Sequence, residues 1–412
     1  MDAGTGPDGA GAAAARDRMG AGVSGLVHVT TIPLTLWFLR GQAAFLRRQS
    51  LAVHAISSPG PELVRFGDAE AVPVHAVEMP RDIAPARDLA AVWRLWRVLR
   101  ELRPSIVDAH TPKAGLLGMA AATLARTPVR VYHMHGLRFV TATGWKRRVL
   151  RLAERVSCAL ADRVLAVSPS LRSLAIAEGL CPPEKIRVIL GGTVNGVDGT
   201  YAFRPQPEAV RMRTRAEHGI PPDALVVGFV GRLARDKGIV ELGVAWRALR
   251  TDRRVHLLVV GAPDPVDPPP GDVLAALRAD PRVLLLGHVS EMTPLYAAMD
   301  VVALPTYREG FGQVALEAAA MALPIVATRV PGCVDAVKDG TTGTLVPARD
   351  PASLVDALRR YLSDPELRAR HGAQARQRAL REFRQDAIWT ALAAEYEDLL
   401  HRASRAASQG PS

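Results

Sequence analysis

Cysteine is scarce. The 412-residue chain has three, Cys158, Cys181 and Cys333, far apart and without the spacing of metal ligands. That argues against a disulfide framework and for a reducing, cytosolic setting. Aromatic residues make up only 5%. With no base-stacking or groove-reading motif beside them, nucleic acid is not an expected partner. No apolar run reaches the length of a membrane span. The start, MDAGTGPDGAGAAAARDRMGAG, lacks the apolar centre of a signal peptide. Residues 1–22 and 405–412 read as disordered tails. Chemical fingerprints are missing too. No GxGxxG follows a strand, there is no Walker sequence, and no Ser sits in GxSxG. No two aspartates are spaced D-x-D, which removes the usual carboxylate pair for a divalent ion on a nucleotide sugar.

What is present is a globular composition, 48% hydrophobic and 23% charged, in a chain long enough for two domains. The net charge of +11 is uneven: residues 1–200 hold 25 Lys and Arg against 16 Asp and Glu, the rest 27 against 25. The positive half suits an anionic partner, such as a phospholipid surface or a diphosphate-bearing acceptor.

Short apolar runs alternate with helical patterns throughout. Strands are expected at 25–29, 51–56, 72–75, 105–109, 129–134 and 163–167, and helices at 34–49, 87–102, 114–125 and 145–160. A second series has strands at 225–230, 255–260, 283–286, 300–304 and 325–327. Helices are expected near 351–363, 365–384 and 386–404. Such alternation predicts an α/β fold of two doubly wound parallel-sheet, Rossmann-like domains. The first spans 23–200 and the second 225–385. Residues 201–224 form a linker with one short helix, and 386–404 a last helix. Ligands of such sheets bind at the carboxyl ends of strands, and a cleft between two such domains is the natural site.

Two loops carry the chemistry. Arg308-Glu-Gly-Phe-Gly-Gln-Val-Ala-Leu-Glu317 runs from a strand into a helix. Glu309 sits beside Gly310, Phe311 and Gly312, where the backbone admits a ligand and the free amides of the helix start, at Gln313 and Val314, favour a phosphate. Glu317 follows eight residues after Glu309. Taken singly, each Glu could be an ordinary solvated charge. The second loop, Gly231-Arg-Leu-Ala-Arg-Asp-Lys-Gly238, puts Arg232 and Lys237 within reach of one phosphate region. Alone it could be an ordinary polar loop.

GRLARDKG, EGFGQVALEAAAMALPIVAT and DGTTGTLVP at 339–347, in that order, resemble the C-terminal nucleotide-sugar domain of family 4 glycosyltransferases. HVTTIPLTL, HTPKAGLLG at 110–118, HMHGLRF at 133–139 and TVNGVD at 193–198 resemble bacterial members that extend lipid-linked oligosaccharides for surface polysaccharides. The match spans about 26–400, and the E-x7-E pair Glu309/Glu317 is its specific part. The resemblance implies a GT-B fold and a retaining, metal-independent transferase, with no cofactor beyond its nucleotide-sugar donor, here expected to be UDP-linked. A polyprenyl-diphosphate-linked saccharide would be the acceptor. Gly231, Arg232 and Lys237 would hold the donor diphosphate, Glu309 the sugar hydroxyls and Glu317 the ribose. Gly310, Phe311, Gly312, Gln313 and Val314 would bring the backbone to sugar and phosphate, and His135 would face the sugar from the first domain. His135 also has a plain reading, as a packed histidine at a strand end. One departure stands out: Thr30-Thr-Ile-Pro33 replaces the Gly-Gly pair of many relatives, on the acceptor side.

Trp93 and Trp96 with Arg94, Arg97, Arg100 and Arg103, and Trp145-Lys-Arg-Arg148 with Arg151, have the makeup of interfacial helices. A cytoplasmic protein peripheral to the inner face of the cell membrane is the expectation. A sugar-nucleotide epimerase on the same fold, or a non-catalytic sugar-nucleotide-binding protein, are the other readings.

Overall fold

The computed structural model describes residues 24–265 and 267–409. The tail expected over 1–22 and the last residues of the other, 410–412, lie outside them. The chain forms two compact units.

The first unit comprises 24–167, 172–189 and 386–409. Its sheet has β1 (Ser24–Val29), β2 (Leu51–Ser57), β3 (Val74–Ala76), β4 (Ile106–His110), β5 (Val129–Met134), β6 (Arg163–Ala166) and β7 (Ile186–Arg187). All pair in parallel, in the order β3-β2-β1-β4-β5-β6-β7. A parallel sheet is covered on both faces, so its strands are apolar runs. Leu26, Val29, Ile106, Val107, Val131 and Val164 are all fully buried. The same strands also bury His28, Asp108, His110 and His133, which apolar packing does not ask for. Helices α1 (Pro85–Leu102) and α3 (Gly144–Leu160) both pack against α2 (Pro112–Leu124).

The second unit comprises 168–171 and 190–385. Its strands are β8 (Leu225–Val230), β9 (Val255–Val260), β10 (Val283–Leu285), β11 (Val301–Leu304), β12 (Ile325–Thr328) and β13 (Gly343–Val346), ordered β10-β9-β8-β11-β12-β13 and all parallel. Its helices include α4 (Glu208–Glu217), α5 (Ile239–Leu249), α6 (Thr293–Ala298), α7 (Gln313–Ala320), α8 (Pro351–Ser363) and α9 (Pro365–Glu382). Val227, Phe229, Leu257, Val301, Trp246 and Leu358 share its core. Each such side chain contributes about 1.5–3 kcal/mol by leaving water.

Several boundaries differ from the sequence reading. Residues 201–224, expected as a linker, fall within the second unit, whose long segment begins at Leu190. Arg215 of α4 holds them there: it is 1% exposed and donates to the carbonyls of Pro222 at 2.7 Å, Ala224 at 2.9 Å and Ala298 at 3.0 Å. The last helix, α10 (Gln385–Gln409), runs through most of the expected C-terminal tail. From Asp386 onward it is part of the first unit, where Glu395 pairs with Arg163 at 2.7 Å and Arg187 at 3.1 Å. The helix expected over 34–49 is broken into a 3-10 turn, Pro33–Leu39, and a helix, Gln42–Arg48. Gly41 sits between them at φ +80, and any Cβ there would lie 2.7 Å from the Trp389 ring.

Candidate active site

Strands β8 and β11 are neighbours in the sheet, so the loops leaving their carboxyl ends adjoin. The sheet order reverses between them, which is where such folds bind ligands. The β8 loop makes a 3-10 turn, Arg235–Lys237, and closes on Gly238 at φ +73. A Cβ there would lie 2.0 Å from the Pro305 carbonyl oxygen. Only glycine lets the two loops meet so closely. Across the contact, Tyr307 N–H and the Thr306 hydroxyl donate to the Asp236 carbonyl at 2.8 and 3.0 Å.

The charged side chains form one network. Lys237 pairs with Glu309, and Arg232 with Asp264. Arg308 donates to Asp236 at 2.5 Å, and Arg232 lies 3.8 Å from the same carboxylate. Asp264 is 2% exposed while Arg232 is 47% exposed. A buried carboxylate thus anchors a guanidinium that still reaches solvent. Tyr307 donates to Glu241 at 2.6 Å and extends the network. Thus Arg232, Lys237 and Glu309 come together as expected from their loops. Asp236, Asp264 and Arg308, which the sequence reading did not select, hold them in place.

Gly310, Phe311 and Gly312 lead into α7, and Gly312 caps it at φ +82. The first amides of the helix, at Gln313 and Val314, have no intrahelical carbonyl to bond. The Phe311 ring is buried edge-on against Phe383, 5.1 Å between centroids, so this residue offers a ligand its backbone. The Gln313 side chain accepts from the Thr193 hydroxyl at 3.0 Å and donates to the Gly196 carbonyl at 2.8 Å. Its amide is spent on the fold. Gly231 follows β8, with its N–H bonded to the Val260 carbonyl at 2.9 Å. Glu317, one turn along α7, accepts from the Tyr296 hydroxyl at 2.8 Å. Burial pushes its carboxyl up to about 7, and the Tyr296 bond opposes that only in part.

In the first unit, His135 follows β5 and is half-buried. Sheet register builds its surroundings. His28 of β1 is the register partner of Asp108 in β4, and His110 of β4 that of His133 in β5. Alternate residues of a strand share a face, so Asp108 and His110 point the same way, as do His133 and His135. His110 Nδ1 is 2.9 Å from His135 Nε2, and His110 Nε2 is 3.0 Å from His28 Nδ1. The fully buried Asp108 takes a 2.5 Å bond from the Tyr396 hydroxyl of α10 and lies 3.5 Å from both His110 and His133. Burial would raise the Asp108 carboxyl, but His110, His133 and His28 outweigh it and hold it well below the carboxylate range. Burial pushes His28 down to about 4 and His135 to about 3, so both are neutral near pH 7. Of this cluster the sequence marks His135 first and His110 only weakly, and His28 and Asp108 not at all; the spacings D-x-H at 108–110 and H-x-H at 133–135 are the available signal.

Among the described residues, two sets of side chains bring ligand atoms within 4.8 Å of one another: His110, His133 and His135, and His28, Asp108 and His110. Both nitrogens of His110 already face another ring nitrogen at hydrogen-bond distance. Lys113, at the start of α2, is tied to Asp88 at 2.7 Å and to the Asp82 carbonyl at 2.7 Å.

Comparison with known proteins agrees with this architecture. Residues 224–364 match the family described as glycosyl transferases group 1, and residues 37–192 match the glycosyl transferase 4-like domain. The capsular polysaccharide biosynthesis glycosyltransferase CapM of Staphylococcus aureus is 33% identical over 376 residues, covering 91% of this chain and 97% of CapM. Among solved structures, Anabaena HepE in complex with UDP and glucose superposes with a TM-score of 0.74 at 21% identity, over 91% of this chain and 100% of HepE. Sucrose-phosphate synthase from Thermosynechococcus elongatus gives 0.76 at 21%, over 92% and 99%. With two parallel-sheet units of the GT-B kind and a full-length relative at this identity, the chain belongs to family 4 of the glycosyltransferases and is a glycosyltransferase.

Proposed function

We propose that this glycosyltransferase moves a sugar from a UDP-linked donor, with retention and without a metal, to a polyprenyl-diphosphate-linked saccharide in surface polysaccharide synthesis. The observation that carries the reading is the network of Arg232, Lys237, Arg308 and Glu309 beside the start of α7. Sugar transfer builds positive charge on the ring and negative charge on the departing diphosphate. Arg232, Lys237 and the amides of Gln313 and Val314 offer that charge its stabilisation without a cation. Lys237 and Arg232 exchange their internal carboxylate partners for the diphosphate, and Glu309, released, accepts from sugar hydroxyls. Glu317 accepts from the ribose, and His135 serves the transferred sugar. The leaving phosphate takes the acceptor proton on the face it vacates. The HepE structure holds UDP and glucose, and CapM acts in capsular polysaccharide biosynthesis, which supports both donor and pathway.

The membrane side of the reading rests on α3. Trp145, Val149, Leu152 and Val156 are exposed at helical spacing, at 62, 39, 62 and 37%, with exposed Lys146, Arg148 and Arg155 beside them. Trp93 and Leu89 of α1 are exposed as well, at 53 and 73%. An apolar stripe flanked by cations suits an anionic lipid surface. No helix among the described residues is long and apolar enough to cross a membrane.

The test is donor turnover. Purified protein is incubated with a panel of nucleotide sugars in EDTA, with and without membrane lipid extract, and nucleoside diphosphate release is followed. Release from UDP-sugars that needs the extract and survives EDTA is expected. Epimerised donor, or loss of all release in EDTA, would sink the reading. Sedimentation with anionic vesicles checks the membrane contact, and no binding at low salt would end it.

A further inference from the structure

We propose that His28, His110 and Asp108, with Tyr396, form a buried relay that fixes the tautomer of His135, so that His135 presents a hydrogen-bond donor, Nδ1–H, and not a base. His28, His110, Asp108 and Tyr396 are positioning residues in this account. It rests on the reading above only for what His135 faces.

The direction of the relay follows from its inner end. A neutral imidazole has one N–H and one lone pair. His28 Nε2 is buried with no hydrogen-bond partner among the described residues, while His28 Nδ1 faces His110 Nε2 at 3.0 Å. An orphaned buried N–H is the rarer and costlier defect, so the proton sits on Nδ1. That choice propagates. His110 Nε2 accepts from His28, so the one proton of His110 sits on Nδ1. It is donated to His135 Nε2 at 2.9 Å. His135 Nε2 is then the acceptor, and its proton sits on Nδ1. Asp108 stands beside the inner links, 3.9 Å from His28 Nδ1 and 3.5 Å from His110 Nε2, and Tyr396 fixes the carboxylate by its 2.5 Å bond. Burial keeps His28 and His135 neutral near pH 7, which the one-proton count requires. A donor at this position suits an oxygen of the transferred sugar, which a neutral N–H polarises without taking its proton.

The full-length protein labelled with 15N-histidine reads this directly. Two-bond proton–nitrogen correlation spectra report which nitrogen of each ring is protonated, and His135→Asn assigns the His135 signals. His135 is expected as the Nδ1–H tautomer in the protein without ligand. His28→Leu frees His110 to donate from Nε2 toward Asp108. His110 Nδ1 then accepts, and His135 is expected to invert to Nε2–H, with kcat about tenfold lower, as for one lost hydrogen bond to the reacting sugar, and UDP affinity unchanged. His28→Asn keeps an amide donor near the original position and is expected to restore the wild-type pattern. Nε2–H in the wild type overturns the proposal. So does an unchanged His135 in a His28→Leu protein that melts cooperatively. A stoichiometric transition metal on His110, His133 and His135 overturns it too, because a cation takes the lone pairs the relay uses. Should His135→Asn retain full turnover while the tautomers are as stated, the assignment of His135 to the sugar fails and the relay stands.

Discussion

Glu317, assigned to the ribose in the proposed function, is expected to make UDP binding sensitive to pH, and the size of the effect follows from its surroundings. Burial brings its carboxyl up to about 7 in the absence of a ligand. A ribose hydroxyl donates to a carboxylate more strongly than to a neutral acid. If only the ionised form engages the ribose, UDP affinity follows the ionised fraction. With a pKa of about 7, that fraction rises from about one in eleven at pH 6 to ten in eleven at pH 8, so affinity rises about tenfold, or about 1.4 kcal/mol. The protein must lose its proton to bind, so binding weakens as pH falls. The Glu317→Gln protein has no such proton and lacks this dependence, although its affinity at pH 8 is lower. Titration calorimetry with UDP at pH 6, 7 and 8 measures both. The diphosphate's own ionisation, near pH 6, moves both proteins alike, and their difference isolates Glu317. Parallel pH dependences in wild type and variant would refute the assignment of Glu317 to the ribose.

Three further perturbations probe the frame around the site. Glu154 of α3 is 2% exposed, accepts from the Tyr132 hydroxyl at 2.7 Å, and burial pushes it up to about 7 from the usual 4.5. The folded protein therefore holds a proton the unfolded chain has lost between those values, and stability falls as pH rises through them. Glu154→Gln is expected to match wild type near pH 4 and to exceed it at pH 8 by about 1–3 kcal/mol in urea unfolding. Arg215→Ala removes the guanidinium that serves three carbonyls and the Asp300 carboxylate, and is expected to cost about 3–5 kcal/mol. A loss under about 1 kcal/mol by chemical denaturation would show that α4 is held otherwise. Gly238→Ala places a methyl group against the Pro305 carbonyl. It is expected to cut kcat/KM at least about 100-fold, as for a misplaced catalytic group, with the circular-dichroism spectrum unchanged.

Much of the second unit was legible because its signals are local. The strand over 225–230, the loop at 231–238 and the crossover from β11 into α7 each show themselves in a dozen consecutive residues. β13 is not legible as a strand, since Gly343 and Thr344 weaken its apolar run. Partnerships between distant segments were not legible. Their charge marks Arg232 and Lys237, but nothing in the sequence pairs Arg232 with Asp264 or Lys237 with Glu309. The sequence marks His135 but not His28 or Asp108, because register across β1, β4 and β5 is what brings them to it. The break at Gly41 depends on the Trp389 ring, more than 300 residues away in the chain.

The first unit is discontinuous, and that sets an order on biosynthesis. Residues 190–385 intervene before α10, so the chain must be extended by about 200 residues after β7 is made before Tyr396 can reach Asp108. At about 5–20 residues per second on the ribosome, that interval is on the order of 10–40 s. During it, Asp108, Arg163 and Arg187 lack their partners from α10, while the intervening unit already has all but four of its residues in one continuous stretch. Helix α10 is therefore the step that completes the first unit. A nascent chain arrested before residue 386 would leave the charge of Asp108 without the Tyr396 hydroxyl that meets it in the finished protein.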